Sequence, residues 1–177
     1  MSLQAKICGL TKKNEVEVAI KYGATFCGFI LNWPKSHRYI SLDRAKFLTN
    51  IDKLNSNFVG VLVNPNDKEV ELFNSLNLQY LQLHGSEKIE RIKEIKNFTK
   101  KKIIKTIKIK TEEDLDVYES YKDIADILLF DSAGFEKSEG FNHSLLKKLD
   151  KKENRWMIAG NIKIQDLENI SKIADYV

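Results

Sequence analysis

The sequence predicts an α/β chain of parallel strands joined by helices, and three observations predict it. Short apolar runs rich in β-branched and aromatic residues recur about every 20–30 residues, the length of one strand–helix unit. The stretches between them carry apolar residues at helical spacing. No Pro- or Gly-rich linker interrupts the series, so residues 1–177 read as a single domain.

The runs come in order as Ala5–Cys8, Thr25–Leu31, Asn57–Val63, Gln79–Leu83, Lys102–Ile107, Ile127–Phe130 and Arg155–Ala159. Their length and polar flanks suit strands buried on both faces. Ala174–Val177 begins an eighth run that stops at the last residue. Between the runs, Val16, Ala19 and Ile20 share one helical face, as do Val70 and Phe73, Leu115 and Tyr118, and Leu145, Leu146 and Leu149. Asn14 with Glu17, and Asn66 with Glu69, have the spacing of capping boxes. Ser41, Ser86 and Thr111 read as N-caps.

Parallel strands with helical crossovers close either as an open doubly wound sheet or as a (βα)8 barrel. The first turn, Cys8-Gly9-Leu10-Thr11, lacks the G-x-G-x-x-G cradle of dinucleotide-binding sheets. Seven complete βα units plus the start of an eighth favour a TIM barrel whose eighth strand is cut short at the C-terminus.

Composition narrows the function. Apolar residues make up 42% and charged residues 31%, which describes a folded rather than a disordered chain. The net charge is only +4, with lysines dispersed and no basic face interleaved with aromatics, so nucleic acid is not an expected partner. The run Lys100-Lys101-Lys102 reads as a solvated turn before a strand. No apolar run reaches the roughly 18 residues of a membrane span, and the N-terminus enters a strand almost at once. The two cysteines, Cys8 and Cys27, both lie in apolar runs. They point to a reducing, cytoplasmic compartment rather than a disulfide framework.

In a barrel the chemistry sits at the carboxyl ends of the strands. That rule selects Cys8 after the first run, Asn64 after the third, His84 after the fourth and Asp131 after the sixth. The loop after the second run adds Lys35, Ser36, His37 and Arg38. Cys27 lies mid-strand and reads as core. The histidines His37, His84 and His143 share no ligand spacing, so no metal is expected. What remains is a thiol and a carboxylate, the parts for acid–base work.

Several of these segments resemble one family. Lys6-Ile7-Cys8-Gly9-Leu10-Thr11 resembles the opening of phosphoribosylanthranilate isomerase. Gly28-Phe29-Ile30, with Ser36, Arg38, Tyr39 and Ile40, is similar to its second strand and following loop. Val59–Asn64, Gln82-Leu83-His84-Gly85, Leu128–Asp131 and Ala159-Gly160-Asn161 follow in the family's order. The resemblance implies a (βα)8 barrel and an Amadori rearrangement in tryptophan biosynthesis. N-(5-phosphoribosyl)anthranilate becomes 1-(2-carboxyphenylamino)-1-deoxyribulose 5-phosphate. It assigns Asp131 as the general acid that opens the furanose ring and Cys8 as the base that removes the C2 proton. Arg38 becomes the arginine for the anthranilate carboxylate, His84 a residue lining the site, and Gly160 and Asn161 part of the phosphate cradle. No cofactor is implied. The expected partner is a small phosphorylated substrate, and the expected state a monomer or homodimer. Physical chemistry adds two conditions: Asp131 has to hold a proton near neutral pH, and Cys8 has to act as a thiolate, helped by a nearby cation or dipole.

Two departures from the family stand out. Its glycine-rich run after the sixth strand is replaced by Phe135–Asn142, in which only Gly140 is glycine, and Lys137 is the candidate to supply charge there. The family's strand-eight loop and final helix have no counterpart before Val177, so the domain is expected to be shortened at its C-terminus. Two other readings stay open at this point. One is a different phosphate-binding barrel, an epimerase or aldolase; the other is a non-catalytic remnant.

Overall fold

The computed structural model describes residues 2–133, 140–151 and 154–177. Seven strands alternate with helical segments: β1 (Lys6–Cys8), α1 (Lys13–Lys21), β2 (Phe26–Ile30), α2 (Leu42–Thr49), β3 (Asn57–Leu62), α3 (Asp67–Asn74), β4 (Tyr80–Leu83), α4 (Ile89–Thr99) and β5 (Lys102–Ile109). α5 (Tyr118–Tyr121), β6 (Ile127–Ser132), β7 (Arg155–Ala159) and α6 (Leu167–Ser171) follow, with 3-10 turns at Glu112–Leu115, His143–Lys148 and Ile164–Asp166. The chain folds as two compact units. One holds Ala5–Ile103; the other holds Met1–Gln4 and Ile104–Val177.

In the first unit β1, β2, β3 and β4 pair in parallel and in chain order. Cys8 lies opposite Gly28, Gly28 opposite Val59, and Val61 opposite Gln82. Parallel neighbours cannot be joined by a tight turn, so each strand is followed by a crossover. Helix starts follow local chemistry. Ser41 accepts from the Arg44 N–H at 3.3 Å, and Asn66 and Glu69 bond each other's backbone N–H reciprocally at 3.0 and 2.9 Å, as the sequence predicts. Two expected caps are corrected. α1 begins one residue before Asn14, and Glu15, not Glu17, reaches back to the Thr11 and Lys12 N–H groups at 2.8 and 3.0 Å. Glu15 wins because it is the third helical residue, whose side chain can fold back over the free N–H groups. Ser86 does not cap α4. Its N–H is drawn to Asn64 Oδ1 at 2.8 Å, and Lys88 takes the cap position.

In the second unit β5, β6 and β7 pair in parallel. Alternation along them sends Ile107, Ile109, Leu128, Phe130, Trp156 and Ile158 into a core closed by Leu115, Tyr118, Leu146 and Ile170. The rings of Phe130 and Trp156 meet edge-on at 5.2 Å and those of Tyr118 and Trp156 at 5.8 Å. The expected eighth run is narrower than a strand. Only Tyr176 bridges, to Gln4 on one side and Met157 on the other, and Ile158 N–H donates to Tyr176 O at 3.1 Å. Asp175 anchors this end. Its carboxylate accepts from Trp156 N–H at 2.9 Å and pairs with Lys151 at 2.8 Å. Burial pushes the Asp175 carboxyl up, but the Lys151 ammonium and the Trp156 N–H outweigh it and hold it below the usual carboxylate range.

A group held low in the folded state stabilises above its unfolded pKa and loses that contribution as pH falls through the folded value. Asp175→Asn is therefore expected to cost about 1–3 kcal/mol at pH 7 in urea unfolding. The difference from the wild-type chain should vanish at pH values below the normal carboxylate range.

Candidate active site

In the first unit the residues expected at the site lie at two strand ends and in the loop after β2. Lys6 and Cys8 project from the same face of β1, since alternate residues share a face. Beside them, on β2, stands Gly28. A Cβ at this position would lie 2.9 Å from Cys8 Sγ and 3.1 Å from Lys6 Nζ, so the hydrogen of glycine is what leaves room for both heads. The Gly9 and Leu10 N–H groups then both donate to Gly28 O, at 2.9 and 3.1 Å, bending the chain away from the thiol. Gly9 takes φ +80, and a Cβ there would meet Arg38 Cδ at 2.6 Å. Glycine is thus required twice, for the left-handed turn and for the arginine that packs over it.

Arg38 is carried by the loop after β2. Its N–H donates to Ser36 Oγ at 3.2 Å, and Ile40 N–H donates to Ile30 O at 3.1 Å, fixing the loop to the strand. The guanidinium reaches back so that Nη1 donates to Cys8 O at 3.5 Å. Its Nε is buried with no hydrogen-bond partner among the described residues. A buried guanidinium N–H left unpaired costs energy unless an acceptor arrives, and a carboxylate suits it.

At the end of β4, His84 Nδ1 and Gln82 Nε2 lie 3.0 Å apart. The contact ties the imidazole to the side-chain amide two residues back on the same strand face. The turn beyond is built around Glu87, which is 4% exposed and accepts from the N–H groups of Asn64 and Gly85 at 2.8 and 3.0 Å. Asn32 clamps the end of β3 in the same way, its Oδ1 accepting from Val63 N–H at 2.7 Å. Sequence reading missed Glu87, Asn32 and Lys6. For Lys6 a signal existed: it sits two residues before Cys8 on one strand face.

In the second unit Asp131 is half-buried near the end of β6. Lys108 of β5 stands opposite it on one side and Ala159 of β7 on the other. Gly160 and Asn161 follow with φ +95 and +53, two successive left-handed residues that turn the chain sharply. A Cβ on Gly160 would overlap Ser132 Oγ and lie 2.8 Å from Asp131 Oδ1. Gly160 and Asn161 also line a cavity of about 1010 Å³ with Gly140, His143, Lys163 and Lys172. Burial pushes the His143 imidazole below its ordinary value, with the Asp166 carboxylate pulling the other way. The structure thus brings Cys8 together with Arg38, and Asp131 with Gly160. Lys137 lies outside the described residues. Among those described, no group of three His, Cys, Asp or Glu side chains could hold a metal ion, and no helix is long and apolar enough to cross a membrane.

Residues 5–176 match the family model described as N-(5'-phosphoribosyl)anthranilate (PRA) isomerase. This chain belongs to that isomerase family. Among curated relatives, the N-(5'-phosphoribosyl)anthranilate isomerase of Rhizobium johnstonii is 37% identical over 89% of this chain and 73% of its own length. That of Sulfurihydrogenibium sp. is 32% identical over 93% of this chain and 80% of its own. Among solved structures, monomers generated from the dimeric isomerase of Thermotoga maritima superpose with a TM-score of 0.83 at 25% identity, covering 99% of this chain and 86% of theirs.

The two thiols of this family member differ sharply. Cys27 is fully buried, and burial pushes its thiol up to about 11 against the pull of the Lys6 charge; Cys8 is half-buried. Iodoacetamide at neutral pH is expected to label Cys8 in the native chain and to reach Cys27 only after denaturation. Peptide mapping of the labelled sites checks this.

Proposed function

We infer that this chain isomerises N-(5'-phosphoribosyl)anthranilate in tryptophan biosynthesis, with Cys8 as base, Asp131 as acid and Arg38 as the carboxylate-binding residue. The observation that carries the reading is the family match over residues 5–176, within which these three residues stand at strand ends or in the loop that follows one.

The mechanism follows from the residue types. Asp131 gives its proton to the furanose ring oxygen as the C1–O bond opens, leaving a Schiff base between C1 and the anthranilate nitrogen. Cys8, as thiolate, takes the C2 proton. The C2–H electron pair moves into a C1–C2 double bond and neutralises the iminium. The resulting enolamine tautomerises to the keto product, with C1 gaining a proton as the C2 hydroxyl loses one. Arg38 would hold the anthranilate carboxylate with its fork of N–H groups, its Nε being the buried donor that lacks an acceptor among the described residues. His84 would line the substrate pocket. The backbone N–H groups at Gly160 and Asn161 would take the phosphate, in the manner of phosphate sites after strand seven of such barrels.

The reading includes a single (βα)8-barrel domain, with the Tyr176 bridge as the foot of its eighth strand. It also includes a cytoplasmic location, which two free thiols fit, and a monomeric or homodimeric state.

Loss of the substrate's anthranilate fluorescence measures the reaction. Cys8→Ala and Asp131→Asn are each expected to lower kcat by about 10²–10⁴-fold, the usual worth of a positioned acid or base. Arg38→Met should raise KM more than it lowers kcat. Activity that survives both Cys8→Ala and Asp131→Asn would sink the acid–base assignment.

A further inference from the structure

We propose that Lys6 is the counter-ion of Cys8, a positioning residue whose ammonium group favours the thiolate that takes the C2 proton. The inference rests on the assignment of Cys8 as base, and it goes beyond that assignment by naming what keeps the base ionised.

Geometry comes first. Lys6 and Cys8 share one face of β1, and both side chains converge on the gap beside Gly28. Sγ lies 2.9 Å and Nζ 3.1 Å from the point where a Cβ on Gly28 would sit. The two atoms are therefore no more than about 6 Å apart, inside the range at which an opposite charge favours an ionised group.

The second observation is what Lys6 lacks. It is half-buried, yet it has no carboxylate partner and no hydrogen-bond acceptor among the described residues. A half-buried ammonium ordinarily finds an acid. Two thiols lie near it: Cys27, fully buried and pushed up to about 11 by burial against the pull of Lys6, and Cys8, half-buried at the strand end. The other cation near Cys8 in this unit is Arg38, and its guanidinium is directed at the Cys8 carbonyl oxygen rather than at the sulfur. The two cations thus divide the work: Arg38 faces the backbone and keeps a free N–H for substrate, while Lys6 faces the sulfur.

The chemistry asks for such a charge. In the abstraction step an S–H bond forms as the C2–H bond breaks, the C2–H electron pair becomes the C1–C2 double bond, and the C1–N π pair passes to the iminium nitrogen. Lys6 exchanges no proton in this step. It keeps the thiolate fraction high before the substrate arrives.

The test uses the full chain without substrate. The rate of Cys8 alkylation by iodoacetamide at neutral pH reports the thiolate fraction, and Cys8→Ser removes the signal as a control. Lys6→Met is expected to slow alkylation on the order of tenfold and to lower kcat by a similar factor, with KM nearly unchanged. Lys6→Arg should restore most of both. Lys6→Gln serves where Lys6→Met does not fold. Equal alkylation rates in the wild-type chain and an uncharged variant would overturn the proposal. So would a raised KM with alkylation unchanged, which would make Lys6 a substrate contact. Full turnover by Cys8→Ser would instead remove the base assignment while leaving the alkylation comparison readable.

Discussion

Parallel pairing is the constraint on which the rest depends. When strands run side by side in one direction, every crossover returns to the same starting edge, and every strand finishes at the same opposite edge. In the first unit that edge gathers Cys8, the loop carrying Arg38, and His84. In the second it gathers Lys108, Asp131 and Gly160. The strand interiors are then mostly apolar, with Gln82 of β4 and Lys105 and Thr106 of β5 as buried polar exceptions. Phe58, Leu62, Leu81 and Phe130 are fully buried.

Much of this was legible in the sequence because buried parallel strands announce themselves as apolar runs. The strand ends were harder to read, for a physical reason. β5 continues to Ile109 and β6 to Ser132, two residues beyond each expected end, because backbone pairing persists through Lys108 and Asp131. Polarity marks the end of the apolar run, not the end of the hydrogen-bond ladder, and Lys108 and Asp131 sit in the interval between the two. The helices of the second unit show the opposite limit. The periodic leucines at 145, 146 and 149 lie in and just after a 3-10 turn, and Leu115 and Tyr118 fall in separate short segments, since periodicity reports a buried face and not the length of regular helix.

Loop clamps were the least visible layer. Glu87 and Asn32 bond backbone N–H groups that belong to residues far away in sequence. Nothing in local composition distinguishes such residues from ordinary surface polar groups. Only burial does so: Glu87, a carboxylate at 4% exposure, is tolerable because two N–H donors replace the water it loses. These clamps matter to chemistry because they fix the turns after β3 and β4, and with them the direction of His84.

The two groups proposed as base and acid, Cys8 and Asp131, share a further device, which explains why glycine stands where it does. Each has a glycine as a close neighbour: Gly28, on the adjoining strand β2, beside Cys8, and Gly160, just after the adjoining strand β7, beside Asp131. A Cβ on either would come within 2.9 Å of the reactive head. The backbone reasons differ. Gly160 has φ +95, a conformation that side chains rarely adopt, whereas Gly28 has no such constraint and sits in a regular strand. At Gly28, therefore, the space next to the thiol alone accounts for the missing side chain. Lys6 Nζ occupies the margin of that same space, so the glycine that makes room for the sulfur also lets a cation stand beside it. A larger residue there would displace both groups at once, since its Cβ alone would lie 2.9 Å from Sγ and 3.1 Å from Nζ.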